Sequence, residues 1–241
     1  MKRLFTLFSI LTAILLVYGL YQALVAAPTE RTMGDVQRIF YYHVPSAWTA
    51  FCLFLTNLVA SIVYLVTKRM KADALAVASA EVGVVFCTIV LVTGPIWARP
   101  VWGIWWTWDV RLTTTLVLWL IYVSYLVLRR FSDTAQTPIL AAVLAIFGAL
   151  DVPLVYFSIW FFRTQHPQPV MGRGGSLDPR MLHAFLINLL AFSCFGAMVC
   201  WSRYRLEILH REVEEAHAME SLAGGDVAAK PSLPLNRGGA Q

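Results

Sequence analysis

Six apolar runs, each of about the length needed to cross a bilayer, organise this chain: Leu4–Val25, Ala47–Val66, Ala74–Val92, Leu112–Leu128, Ile139–Phe162 and Met181–Trp201. No other feature restricts its folding as strongly. Lipid offers no hydrogen bonds, so a spanning backbone must satisfy its own, and a helix does this within one segment. The balance of 59% hydrophobic to 14% charged residues, with a mean hydropathy of +0.65, excludes an ordinary soluble domain. The expectation is an all-α polytopic integral membrane protein with six transmembrane helices. The first run resembles a signal peptide, with Lys2 and Arg3 before it and Ala26 and Ala27 after it. A cleavable apolar core runs about 7–15 residues; this one is longer, and a retained first span is expected.

Basic residues set the orientation. Lys2 and Arg3 precede the first run, and Lys68, Arg69 and Lys71 fill the link between the second and third. Arg129 and Arg130 follow the fourth, and Arg203, Arg205 and Arg211 follow the sixth. The positive-inside rule makes these segments cytoplasmic, and both termini with them. The outer links, 26–46, 93–111 and 163–180, carry Arg31, Arg38, Arg99, Arg111, Arg163, Arg173 and Arg180 but no lysine. Guanidinium suits bidentate recognition of carboxylates, so these arginines are either ligands for an acidic group or solvated charge. The net charge of +5 sits at span ends rather than in one patch, which argues against nucleic acid.

Residues 1–203 read as the membrane domain and 204–241 as a cytoplasmic tail. In the tail, Tyr204–Leu222 has a helical pattern with a Glu207–Arg211 pair at favourable spacing, and Gly224–Gln241 has the composition of a disordered segment. Asp178 followed by Pro179 marks the start of the sixth span. Pro138 opens the fifth and Pro45 the second. Asp151, ahead of Pro153, and Glu81 fall inside spans, where a carboxylate is costly and must face protein or water. They read as carboxyls hydrogen-bonded between helices or as parts of a transport path.

Trp97, Trp102, Trp105, Trp106 and Trp108 crowd into PIWARPVWGIWWTWDVRL, five of the nine tryptophans in the chain. Tryptophan is enriched in belts at membrane surfaces. Five together, followed by Asp109 and Arg111, favour a surface for a flat apolar ligand with polar edges. His43, His166 and His183 lie on the same outer side, while His210 and His217 lie in the tail. No histidine pair sits at mid-membrane depth, which argues against a respiratory cytochrome b. Imidazole is a common metal ligand, and haem iron accepts it axially. Cys52, Cys87, Cys194 and Cys200 form no CxxC or CxxCH, so zinc, a redox pair and covalent c-type haem attachment lack support. No GxxxxGK[ST], GxSxG or HExxH occurs, and a non-enzymatic role is expected.

These residues have a familiar order. Trp102–Thr114, WGIWWTWDVRLTT, resembles the tryptophan-rich WWD signature of haem-handling membrane proteins. Arg38–Trp48, RIFYYHVPSAW, and Tyr156–His166, YFSIWFFRTQH, resemble the two histidine segments of the CcmC family of cytochrome c maturation. The signature alone is shared with the larger synthetase-type relatives CcmF and CcsA; chain length and six spans match CcmC. The resemblance implies a bacterial inner-membrane protein that binds b-type haem non-covalently on its periplasmic face. His43 and His166 would be the axial ligands of the iron. His183 is the substitute if Pro167 redirects the second loop. Trp102, Trp105, Trp106, Trp108 and Asp109 would form the platform, with Arg38 and Arg111 candidates for the propionates. Haem would pass to the chaperone CcmE, with CcmD and the ABC pair CcmA and CcmB as further partners. The competing reading is a transporter subunit for haem or a small solute, favoured by Glu81, Asp151 and Pro153.

Overall fold

The computed structural model describes residues 2–132, 134–162, 164–166 and 177–228, with side chains to 222. Arg163, Arg173, Pro167 and the tail beyond 228 lie outside the described residues. Seven α-helices carry the fold: α1 (Lys2–Tyr21), α2 (Phe40–Thr67), α3 (Met70–Trp102), α4 (Val110–Phe131), α5 (Thr137–Ala149), α6 (Asp151–Phe161) and α7 (Pro179–Ala228). Six segments are long and apolar enough to span a membrane, with α5 and α6 forming one of them. The protein is a multi-pass membrane protein.

A hairpin of α2 and α3 forms the centre of the bundle. Lys68, in the left-handed region with φ 54°, joins the two helices. Helix α7 packs along one side of this hairpin, and α4 and α5 close the other. Helix α1 is peripheral, resting on α7 and exposing most of its surface, as a lipid-facing helix should. Asn188 Nδ2 ties the two, donating to the carbonyls of Gly19 at 3.0 Å and Ala184 at 2.8 Å. Small residues permit the close crossings expected between membrane helices. A Cβ on Gly83 would lie 2.6 Å from Cε1 of Phe54, whose ring stacks on Tyr122 at 3.9 Å.

Several expected boundaries change. The fifth span is two helices, because Pro153 lacks an N–H and its ring opposes the carbonyl of residue 149. Helix α5 accordingly ends at Ala149, and Pro153 occupies the tolerant first turn of α6. Pro45 does not open the second span: α2 begins five residues earlier, after a 3₁₀ turn at Asp35–Ile39. Helix α3 continues through Pro95 and Pro100 to Trp102, so Trp97, Arg99 and Trp102 are helical rather than in a link. Gly103, with φ 79°, ends that helix in a conformation that glycine adopts without steric cost. The expected helical tail is continuous with the sixth run, since α7 continues past Trp201 to Ala228, and residues 224–228, expected to be disordered, belong to that helix. Asp178 caps it as expected, accepting from the N–H of Arg180 at 2.8 Å.

Glu81 is tied between helices, in an ion pair. Its carboxylate is held by Arg203 of α7, through Nε at 2.5 Å and Nη2 at 2.9 Å. A second ion cluster sits near the start of α3. Buried Asp73 receives Arg129 of α4 and Arg211 of α7, the latter at 2.9 Å, and Arg211 also pairs with Glu207 at 2.8 Å.

Candidate functional site

The 22–39 and 103–109 links and residues 164–166 meet at one end of the bundle, and the site lies just inside it. His43, the fourth residue of α2, is only 7% exposed. Its Nδ1 is 2.8 Å from Oγ1 of Thr93 on α3. Thr93 spends its own proton on the Ile89 carbonyl at 2.6 Å, so its oxygen accepts from His43 Nδ1–H. That leaves the Nε2 lone pair as the coordinating atom, the arrangement in which a second ring nitrogen fixes a metal-binding histidine.

His166 stands opposite. The two ring centroids are 6.4 Å apart and the planes differ by 33°. Asp109 organises the His166 segment and lines neither cleft. Asp109 Oδ1 caps α4 through the N–H of Leu112 at 2.9 Å, and Oδ2 accepts from Thr164 Oγ1 at 2.8 Å. Thr164 Oγ1 in turn accepts from the backbone N–H of His166 at 3.1 Å. Asp109 is therefore a positioning residue for the His166 segment. His183, by contrast, is exposed on α7 and lines neither cleft.

Two clefts, of about 720 and 1300 Å³, share His43, His166, Phe51, Trp97, Ala47 and Arg111 as a common wall. The smaller is almost wholly apolar and also takes Trp102 and Trp106. The Nε1–H groups of Trp97 and Trp106 are buried without a partner among the described residues. A buried donor left unpaired is costly. Arg111, in the first turn of α4, donates only a long 3.5 Å bond to the Val155 carbonyl among the described residues. Glu30 rims the larger cleft. The N–H groups of Met33, first, and Thr32 hold its carboxyl below the usual carboxylate range, keeping that rim negative. An acidic ligand edge is thereby directed to Arg111 and away from Glu30.

The expected platform splits in two. Trp102 and Trp106 face the cleft, whereas Trp105 and Trp108 are 59% and 76% exposed and line neither cleft. Trp108 meets Trp106 edge-to-face with centroids 5.7 Å apart, and the outer faces of both exposed indoles stay open. Arg38 also departs from its expected role. Its Nη1 donates to the carbonyls of Ala23 at 2.7 Å and Ala27 at 3.4 Å, and its Nε to Asp35 at 3.0 Å. It fastens the end of the first span to the start of the second and lies outside both clefts. Thr93, Trp48 and Tyr156 are the contributors that sequence patterns missed. Trp97 belonged to the five-tryptophan cluster but stands before the signature. A threonine in an apolar run gave no signal at all.

Among the described residues, no group of three His, Cys, Asp or Glu gathers that could hold a metal by itself. Two opposed imidazoles suit a metal whose remaining ligands arrive with it. Comparison with known proteins points the same way. The family model described as "Heme exporter protein C" matches residues 1–219. The chain is 37% identical to Heme exporter protein C of Bradyrhizobium diazoefficiens over 213 residues, covering 87% of this chain and 81% of that protein. It is 32% identical to the protein of the same name from Haemophilus influenzae, covering 88% and 87%. A third relative, from Escherichia coli, is 34% identical over 77% of this chain and 76% of that protein. With paired histidines, a tryptophan-lined cleft and a match running from the first residue to 219, this chain belongs to the heme exporter protein C family.

Proposed function

We propose that this protein binds b-type haem non-covalently between His43 and His166, on the periplasmic face of the bacterial inner membrane, and delivers it to the chaperone CcmE. The opposed histidines carry the reading. Two imidazoles on one metal, with metal–nitrogen bonds of about 2.0–2.1 Å each, have ring centres about 6 Å apart, and these lie 6.4 Å apart. The other features fit the same group. Apolar clefts flank the pair, Trp97 and Trp106 line them, and Arg111 offers a guanidinium to a propionate. Haem supplies its own four equatorial nitrogens, so two axial imidazoles complete the iron. This chain's part is to bind, orient and release, with no catalytic step assigned to it. CcmD and the ABC pair CcmA and CcmB are the further partners this reading expects. Trp105 and Trp108, outward at the lip of the site, are the surface on which we expect the chaperone to dock.

The transporter reading loses one of its two carboxylates, since Glu81 is ion-paired to Arg203. Asp151 remains in the break between α5 and α6 but lines neither histidine cleft.

Orientation is tested by cysteine labelling after removal of the four native thiols. Gly103→Cys should react with a membrane-impermeant maleimide in intact cells and Met70→Cys should not. The reverse pattern would put the site on the cytoplasmic side and end the delivery reading. The propionate contact is tested by Arg111→Gln. A charge-assisted hydrogen bond contributes roughly 1.5–3 kcal/mol, so haem loss should speed by about 10- to 100-fold while both axial ligands stay bound. An unchanged release rate would remove Arg111 from the contact.

A further inference from the structure

A third cavity, of about 1020 Å³, opens on the flank of the bundle between α2 and the α5–α6 pair. Its walls are apolar almost throughout. Leu55, Phe157 and Cys52 stand exposed along it, on faces turned to the bilayer in a spanning bundle. Along α2 it runs from Trp48 to Leu58, ten residues and so about 15 Å at 1.5 Å per residue, half of a hydrocarbon core of about 30 Å. It begins at the end of the bundle that carries the histidines.

Three of its residues, Trp48, Phe51 and Tyr156, also line the larger histidine cleft. The Trp48 and Tyr156 rings meet edge-to-face with centroids 5.7 Å apart, so one aromatic pair stands where the two spaces adjoin. The break after Ala149 explains why a gap exists here. Helix α5 packs on α2, but past the break α6 leans on α4 and meets α2 through this pair. The polypeptide is also divided there, since Pro153 interrupts the hydrogen-bond ladder that would make α5 and α6 one rod.

We propose that this groove is a lateral entrance through which haem dissolved in the outer leaflet slides into the histidine cleft, with Trp48 and Tyr156 as its gate. The proposal rests on the haem reading above and adds the route. Continuity with the cleft selects the occupant, because the groove shares Trp48, Phe51 and Tyr156 with the space that holds the histidines. Charge supports the same path. Burying an ionised carboxylate at bilayer depth is expensive, whereas a macrocycle moving sideways at constant depth keeps its propionates among the headgroups until they reach Arg111. An axial path from the opposite face would carry them past the Asp73 and Glu81 ion clusters and through the packed Phe54–Tyr122 layer.

The test fills the groove without touching the cleft. Full-length protein in vesicles, as wild type, Cys52→Trp, Leu55→Trp and the lipid-facing control Val63→Trp, is loaded from haem-doped vesicles and then unloaded into an excess of empty ones. Cys52→Trp and Leu55→Trp should slow both loading and release by about tenfold, a rate change equal to about 1.4 kcal/mol of barrier. Final occupancy and Soret position should match wild type, and Val63→Trp should behave as wild type throughout. Unchanged rates in both groove variants would overturn the entrance, as would a retained lipid displaced by Cys52→Trp with loading unaffected. A lower occupancy or altered spectrum would make the groove part of the binding wall instead and also overturn it. Wild-type protein that acquires no Soret band would remove the haem reading itself, a distinguishable failure.

Discussion

Replacing Trp97 and Trp106 together by alanine should lower haem retention on the order of 10³-fold. A tryptophan buries about 150–250 Å², and one face turned to a ligand offers about 80 Å². At roughly 25 cal/mol per Å² that is about 2 kcal/mol per ring, or about 4 kcal/mol for the pair. The comparison that gives the result meaning is Trp105→Ala with Trp108→Ala, since these rings are exposed and line neither cleft. Haem retention should then stay within a few fold of wild type, while transfer to the chaperone falls. Because Trp97 is buried, its variant must keep a wild-type melting profile for the haem loss to count. Equal effects from the two pairs would return the whole cluster to an interfacial belt.

Asp73→Ala should produce the largest loss of stability among the charged residues. Asp73 is buried and receives Arg129 and Arg211 from two other helices. Removing one partner of a buried pair costs about 3–5 kcal/mol, because the remaining charge is left without compensation. Here Arg129 loses its carboxylate while Arg211 keeps Glu207, so the midpoint of thermal unfolding in detergent should fall on the order of 10 °C. Arg211 also reaches the Met70 carbonyl at 3.3 Å, so the tail helix should lose its anchor and become sensitive to protease near Arg211. Asp35→Ala is the contrast, an exposed partner of Arg38, and should cost no more than about 1 kcal/mol. A stable Asp73→Ala protein with a protected tail would show that other contacts hold α3, α4 and α7 together.

The membrane architecture was legible because the bilayer reduces folding to a few rules, and apolar length is the strongest of them. Six runs gave six spanning segments. Proline marked the start of a helix at Pro138 and Pro179 and failed to do so at Pro45. Pro45, Pro95 and Pro100 all lie inside helices, where the ends of long spanning segments tolerate a missing N–H, while only Pro153 coincides with a break. Sequence carries the proline but not the neighbours that re-satisfy the freed carbonyl.

The site was legible by residue type and only partly by role. His43 and His166 come together, although they are 123 positions apart in sequence. Trp102, Trp106 and Arg111 join them, but Arg38 is consumed by backbone carbonyls and Asp109 works through Thr164. Both residues sit beside a recognisable motif, and motif position cannot distinguish a ligand contact from the hydrogen bonds that place one. Thr93 shows the converse. Its function depends on facing His43 across two helices, a relation absent from local sequence.

Absorption spectra of the purified protein and its histidine variants test the central claim most directly. Wild type should carry a Soret band with the reduced spectrum of six-coordinate haem. His43→Ala and His166→Ala should each give five-coordinate or haem-free protein, and Thr93→Val should weaken the His43 bond without abolishing it. His183→Ala should leave the spectrum intact, since that side chain is exposed and away from both clefts. A six-coordinate spectrum that survives the loss of His43 or His166, or one that disappears with His183, would contradict the account.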